Sequence, residues 1–189
     1  MPRPNPWKTL ASRIAYENAW IRVREDEVIR PDGAHGIYGV VEVRPSVGVV
    51  AINDRGEMAL TGQWRYALGR YSLEIPRGGS APGETDLLAV ARRELREECG
   101  YDAASWRSLG TVDVQSGVGT DVEHLFAASQ LTFVGVAQEG DEEVETEWVP
   151  FARVVEMALN GEIREACSVA AILRYALLTS SAAALEQGD

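Results

Sequence analysis

A chain of 189 residues with 46% hydrophobic content can bury one full core, or a core plus a small annex. Its 18 basic and 29 acidic residues give a formal charge of −11, which argues against non-specific binding to nucleic acid or to an anionic membrane, where basic surface supplies the affinity. No apolar run reaches membrane-spanning length, Met1-Pro2-Arg3-Pro4-Asn5-Pro6 lacks the apolar core of a secretory signal, and two isolated cysteines predict a reducing, cytoplasmic setting without disulfides.

In chain order, strands are predicted over Leu10 to Tyr16, Trp20 to Ile29 and Gly36 to Val43, with a turn at Pro31-Asp32-Gly33. They precede the Pro45-Ser46 break, and read either as an N-terminal antiparallel β annex (residues 1–44) or as edge strands of one sheet. Further strands are predicted over Gly48 to Ile52, Met58 to Tyr66 and Tyr71 to Ile75, followed by the Gly-rich loop Pro76-Arg77-Gly78-Gly79. A helix comes next, with Thr85 as N-cap, Asp86 in the first turn, Leu88, Ala91, Leu95 and Cys99 as its apolar stripe, and Gly100 as its stop. Strands over Trp106 to Val114 and Glu123 to Ala128 lead to an acidic run, Glu139 to Glu147, of the composition of a solvated loop. Two helices close the chain, Phe151 to Asn160 and about Ala166 to Leu178, before a frayed tail at 181–189. The fold class is mixed α/β, with a main domain over 45–180.

On the central helix, Glu94, Glu97 and Glu98 stand at i, i+3 and i+4 and share one face. Carboxylate oxygens with a loop carbonyl suit Mg2+ or Mn2+, whereas zinc calls for closely spaced Cys and His, and Cys99, Cys167, His35 and His124 have no such spacing. From these residues alone a second reading stands level: an exposed helix whose acids pair with Arg92, Arg93 and Arg96.

The residues before the helix separate the two. Gly78, five residues, Glu84, eight residues, then Arg93-Glu94-Leu95-Arg96-Glu97-Glu98-Cys99-Gly100-Tyr101 resembles the signature of the Nudix hydrolases. The family has one residue fewer between its first Glu and its Arg. Either one residue is inserted at the loop-to-helix junction, or Gly79 and Thr85 occupy the motif positions, so the loop-bracing role of Glu84 is put in question and the helical carboxylates are not. Around the motif, Gln63-Trp64-Arg65-Tyr66, Leu73-Glu74-Ile75-Pro76-Arg77-Gly78, His124-Leu125-Phe126-Ala127 and Gly161-Glu162-Ile163 are similar to ADP-ribose pyrophosphatases and related nucleoside diphosphate sugar hydrolases.

The resemblance implies a Nudix-type α/β/α sandwich around a mixed β-sheet, with the N-terminal strands packed or exchanged across a homodimer. It implies Mg2+-dependent hydrolysis of the pyrophosphate bond of a small nucleoside diphosphate derivative, ADP-ribose or a nucleotide sugar, to nucleoside monophosphate and sugar phosphate, with Mn2+ as a substitute metal. The implied ligands are Glu94, Glu97, Glu98 and the carbonyl of Arg77, with Arg93 orienting the carboxylates. The implied proton acceptor is Glu143, with Glu142 next. Arg65 either holds a substrate phosphate or ribose or pairs with Glu74, and Trp20 and Tyr38 either stack on the base or fill a core. Ser116-Gly117 stands where many ADP-ribose hydrolases have Pro-Gly, which leaves GDP-sugars and dinucleotides open. A non-catalytic nucleotide-sugar sensor on the same fold is the alternative, and a purely structural protein with an acidic helix is a third reading.

Overall fold

The structure is a computed structural model and describes residues 3–135 and 144–186. The chain divides into two compact units, Met1–Arg44 with Asp113–Val122, and Pro45–Val112 with Glu123–Asp189. Among the described residues, no helix is long and apolar enough to cross a membrane.

The first unit is an antiparallel meander of β1 (Lys8–Glu17), β2 (Ile21–Ile29) and β3 (His35–Val43), with β2 in the middle. The 113–122 segment ties onto β3: Val41 N–H donates to the Val118 carbonyl at 2.8 Å, Thr120 N–H donates to the Val41 carbonyl at 3.0 Å, and the Tyr38 hydroxyl donates to the Gly117 carbonyl at 2.7 Å. Asp26 is buried on β2, and Arg24 Nε donates to it at 2.9 Å. The charge-assisted bond holds the Asp26 carboxyl below the usual carboxylate range.

The second unit begins with β4 (Ser46–Ala51), which explains its layering. Val47, Val49 and Ala51 belong to one apolar cluster and Val50 to another, so alternate side chains of one strand feed two cores. A near-continuous apolar run is what a strand covered on both faces requires. β4 lies between antiparallel β7 (Arg77–Gly79) and parallel β9 (Val122–Phe133), with β8 (Tyr101–Asp113) beyond β9. A second sheet places β5 (Glu57–Arg65) between β10 (Glu145–Pro150) and β6 (Arg70–Glu74), all antiparallel. Val90, Ala91, Leu95 and Cys99 of α1 (Leu87–Cys99) pack into one core, while Val154, Met157 and Ala158 of α2 (Phe151–Asn160) and Ala171 and Ile172 of α3 (Ala166–Glu186) pack into the other. The result is the helix, mixed-sheet, helix sandwich that the resemblance implies.

Local details differ from the sequence expectation: β8 begins five residues before Trp106 and β9 runs five residues past Ala128. Asp86, not Thr85, caps α1, its Oδ1 accepting from Leu88 N and Ala89 N at 3.1 Å each. The apolar stripe takes in Val90 and Leu87 rather than Leu88, because the helix is rotated so that Glu94 and Glu98 are also turned inward. α3 runs to Glu186, about two turns past Leu178. Its extension is Ala-rich, and the Thr179 and Ser180 hydroxyls bond back to carbonyls of the preceding turn. β10 occupies the end of the acidic run, where exposed Glu145 and Glu147 flank the half-buried Thr146; two surface acids hide the period-2 pattern. Gly100 ends α1 as expected, with φ 76° and its N–H on the carbonyls of Leu95 and Arg96. Asp86→Ala is expected to cost about 1 kcal/mol by denaturant unfolding, and Thr85→Ala within about half of that. The reverse order would assign the cap to Thr85.

Candidate active site

The Gly-rich loop and α1 meet through their backbones and acids. Glu98 Oε2 accepts from the Arg77 backbone N–H at 3.0 Å. Gly78 faces the Glu94 carboxylate so closely that a side chain at 78 would have to push that carboxylate aside. Glu94 and Glu98 are 7% and 6% exposed, so the carboxylate edge of α1 is not a solvated face. Burial of this kind is tolerated only with compensation.

Arg93 supplies part of it. One guanidinium nitrogen, Nη1, stands 2.9 Å from both Glu94 Oε1 and Glu97 Oε2, and Nη2 donates to the Gly79 carbonyl at 3.1 Å. Arg93 thus ties two acids to the loop. Glu84 braces the loop in fact: its Oε2 accepts from Ala81 N at 2.8 Å and lies 3.7 Å from Arg93. At the far end of the helix, the Thr146 hydroxyl of β10 donates to the Glu98 carbonyl at 2.8 Å. Burial pushes the Cys99 thiol up to about 12, so it packs as a neutral core group.

Among the described residues, no three His, Cys, Asp or Glu side chains converge closely enough to hold a metal ion. The donor set nevertheless fits a hard divalent cation in kind: carboxylate oxygens on one helix edge, a cation already shared by Glu94 and Glu97, and a glycine cradle that keeps the approach to Glu94 clear. Glu142 and Glu143 lie outside the described residues.

Arg65 is gripped by Glu74, with Nε 2.9 Å from Oε1 and Nη2 2.5 Å from Oε2, a two-pronged pair on neighbouring strands. The guanidinium side chain keeps 33% exposure. Trp20 and Tyr38 belong to the first unit and are not brought together: Trp20 lies just before the rung Ile21↔Val43, and Tyr38 lies on the rung Asp26↔Tyr38, about 17 Å along the strands. Trp20 is 73% exposed and therefore not core, whereas Tyr38 packs edge-on against Trp7 with ring centroids 5.4 Å apart. Trp7, Tyr38 and Asp26 share a cavity of about 240 Å³ with Asn5 and Thr9.

The sequence reading names Glu74 only as a partner of Arg65 and does not gather a second set of acids around Arg77. Glu74 and Glu123 are fully buried, and with Glu165 they surround the Arg77 side chain. A charge at the head of an apolar strand, Glu123 before His124-Leu125-Phe126-Ala127, is the signal that could have revealed it.

With this geometry in place, the comparisons with known proteins bear on it directly. Residues 42–171 match the NUDIX domain, and residues 7–41 match the nucleoside diphosphate sugar hydrolase N-terminal domain. The chain belongs to the Nudix hydrolase family. An ADP-ribose pyrophosphatase of Mycobacterium tuberculosis is 31% identical over 177 residues, covering 92% of this chain and 85% of the relative. A GDP-mannose pyrophosphatase of Salmonella typhimurium is 37% identical over 82 residues, 41% of this chain and 42% of that relative. A solved structure of an ADP compounds hydrolase matches with a TM-score of 0.84 at 18% identity, over 96% of this chain and 98% of the other, which establishes the Nudix fold.

The Arg65 and Glu74 pair has a consequence for acid stability. Burial pushes the Glu74 carboxyl up, but the hydrogen bond and charge of Arg65, with Ser72 and Arg77, outweigh it and hold it below the usual carboxylate range. A depressed native pKa contributes stability above the unfolded value of about 4.3, and that contribution is lost only as pH falls through the native value. Arg65→Met removes the largest favourable partner, so Glu74 takes its proton at higher pH. Melting temperature followed as pH is lowered should fall earlier in the variant than in the wild type. Parallel acid limbs would contradict the assignment.

Proposed function

We propose that this protein is a divalent-metal-dependent pyrophosphohydrolase of nucleoside diphosphate derivatives, ADP-ribose or a nucleotide sugar, with Mg2+ as its metal and Mn2+ as a substitute. One observation carries the reading: the Gly-rich loop presses its backbone onto Glu94 and Glu98, two buried acids of the same helix edge. Buried acids aligned against a backbone cradle suit a bound cation far better than a solvated surface. The ADP-ribose and GDP-mannose pyrophosphatases among the relatives support the substrate class.

Glu94, Glu97, Glu98 and the Arg77 carbonyl are the proposed metal ligands. Bound there, the metal would supply charge neutralisation of the pyrophosphate oxygens and acidification of the attacking water. The chain's own residues set the geometry. The Arg77 N–H fixes which way the Glu98 carboxylate points, and Arg93 holds Glu94 and Glu97 at a common distance while tied to the Gly79 carbonyl. Glu143, with Glu142 next, is the proposed acceptor of the water's proton. The acidic run that contains both leads into β10, which the Thr146 hydroxyl ties to the end of α1. Arg65 has its fork held by Glu74 and keeps an exposed edge, so it presents an oriented guanidinium suited to a phosphate.

The bare ring of Trp20 suits stacking on a nucleobase. β1 is exposed along its whole length and carries Leu10, Ile14 and Tyr16 in the open, an apolar surface that a second copy of the chain would cover, hence a homodimer. Both cysteines are free and buried, which fits a reducing, cytoplasmic setting.

Purified protein with Mg2+ should convert ADP-ribose or a GDP-sugar into nucleoside monophosphate and sugar phosphate. Glu97→Gln and Glu98→Gln are each expected to lower turnover at least about 100-fold with the circular dichroism spectrum unchanged. Tight binding of these compounds with no turnover under any divalent metal would instead identify a sensor.

A further inference from the structure

We propose that Arg77 is a positioning residue: its guanidinium, gripped by Glu123 of β9 and Glu165 at the head of α3, sets its own main chain where Glu98 meets it. The inference rests on the metal-site reading of the preceding subsection and concerns a side chain that this reading does not use.

The Arg77 side chain points away from α1 into the opposite half of the fold. Its Nη2 makes a close ion pair with Glu123 Oε2, and Nη1 lies 3.4 Å from Glu165 Oε1 and 3.6 Å from Glu74 Oε2. Three acids from β6, β9 and the start of α3 therefore face one guanidinium. Burial opposes the charge on Arg77, and Glu123 and Glu165 more than restore it. Each acid has further support. Ser46 Oγ donates to Glu123 Oε2 at 3.2 Å, and Arg65 bonds both oxygens of Glu74, sharing Oε2 with Arg77. Glu165 caps α3, accepting from Cys167 N at 3.0 Å and Ser168 N at 2.6 Å, where the helix dipole favours a negative charge.

The same loop is anchored along its length. Ile75 N donates to Ser168 Oγ at 3.0 Å, Val49 N to the Pro76 carbonyl at 2.9 Å, and Ser80 N to the Pro45 carbonyl at 2.9 Å. Arg77 is the residue at which both halves of the fold hold the loop, its guanidinium by β9 and α3 and its backbone N–H by Glu98 of α1. A shift of the guanidinium moves the backbone that aims Glu98. The fork has to bridge two acids, and a lysine, one point charge on a flexible stem, cannot hold both in a fixed plane.

Mn2+ binding to the whole chain, measured by calorimetry and by the electron paramagnetic resonance of free Mn2+, tests this without turnover. Arg77→Lys keeps the charge and loses the fork, and Glu123→Gln keeps the shape and loses the charge. Each is expected to weaken Mn2+ binding about 10- to 100-fold, the range for groups that orient metal ligands. The Mg2+ concentration for half-maximal turnover should rise in step. A folded variant with unchanged Mn2+ affinity would overturn the proposal, and so would failure of both variants to fold, which would assign the cluster to stability alone. A wild-type chain that hydrolyses substrate yet binds no Mn2+ would remove the underlying metal-site reading instead.

Discussion

A carboxylate can be withdrawn from water only where a cation or a hydrogen-bond donor faces it, and the second unit is organised by that constraint. Glu94, Glu98, Glu74 and Glu123 are all buried, on both sides of one short loop. Arg93 serves the α1 side, Arg77 and Arg65 the other, and the Arg77 N–H belongs to Glu98. Each of these acids faces a cation or an N–H, although Glu123 Oε1 is buried without a hydrogen-bond partner, and these pairings hold a backbone segment in place.

The sandwich makes the arrangement possible. β4 feeds apolar side chains into two cores, so α1 can be seated on one face and α3 on the other with the loop between them. Val49 N donates to the Pro76 carbonyl from the same strand, so the element that divides the cores also carries the loop. Leu95 and Cys99 anchor α1 through its apolar side, and that anchoring turns Glu94 toward Gly78 and Glu98 toward the Arg77 N–H. Fold and site are therefore consequences of one helix orientation.

Much of this was legible in the amino-acid order. The i, i+3, i+4 acids, the Gly at 78 and the stop at Gly100 are local patterns, and local patterns survive folding. The Phe151–Asn160 helix is found where the sequence places it, closed by Gly161. What stayed hidden depends on partners far along the chain. Arg77 meets Glu123 and Glu165 only once β9 and α3 have packed, and nothing in the spacing of these residues announces it. β7 is three residues long and exists because β4 is there to pair with it. β10 carries acids on its exposed face, so composition reads as loop where pairing with β5 makes a strand. Arg65 was open between substrate and Glu74; the fold engages it with Glu74 and leaves an edge bare.

The inward acids of α1 and the backbone of the Gly-rich loop are proposed to hold a divalent cation together. Anomalous diffraction from a crystal soaked in Mn2+ locates such an ion without reference to activity. The expected result is a peak bounded by Glu94, Glu97 and Glu98 with the Arg77 carbonyl among its ligands. A crystal that takes up Mn2+ elsewhere and shows Arg93 still bridging Glu94 and Glu97, with no peak beside them, would contradict it.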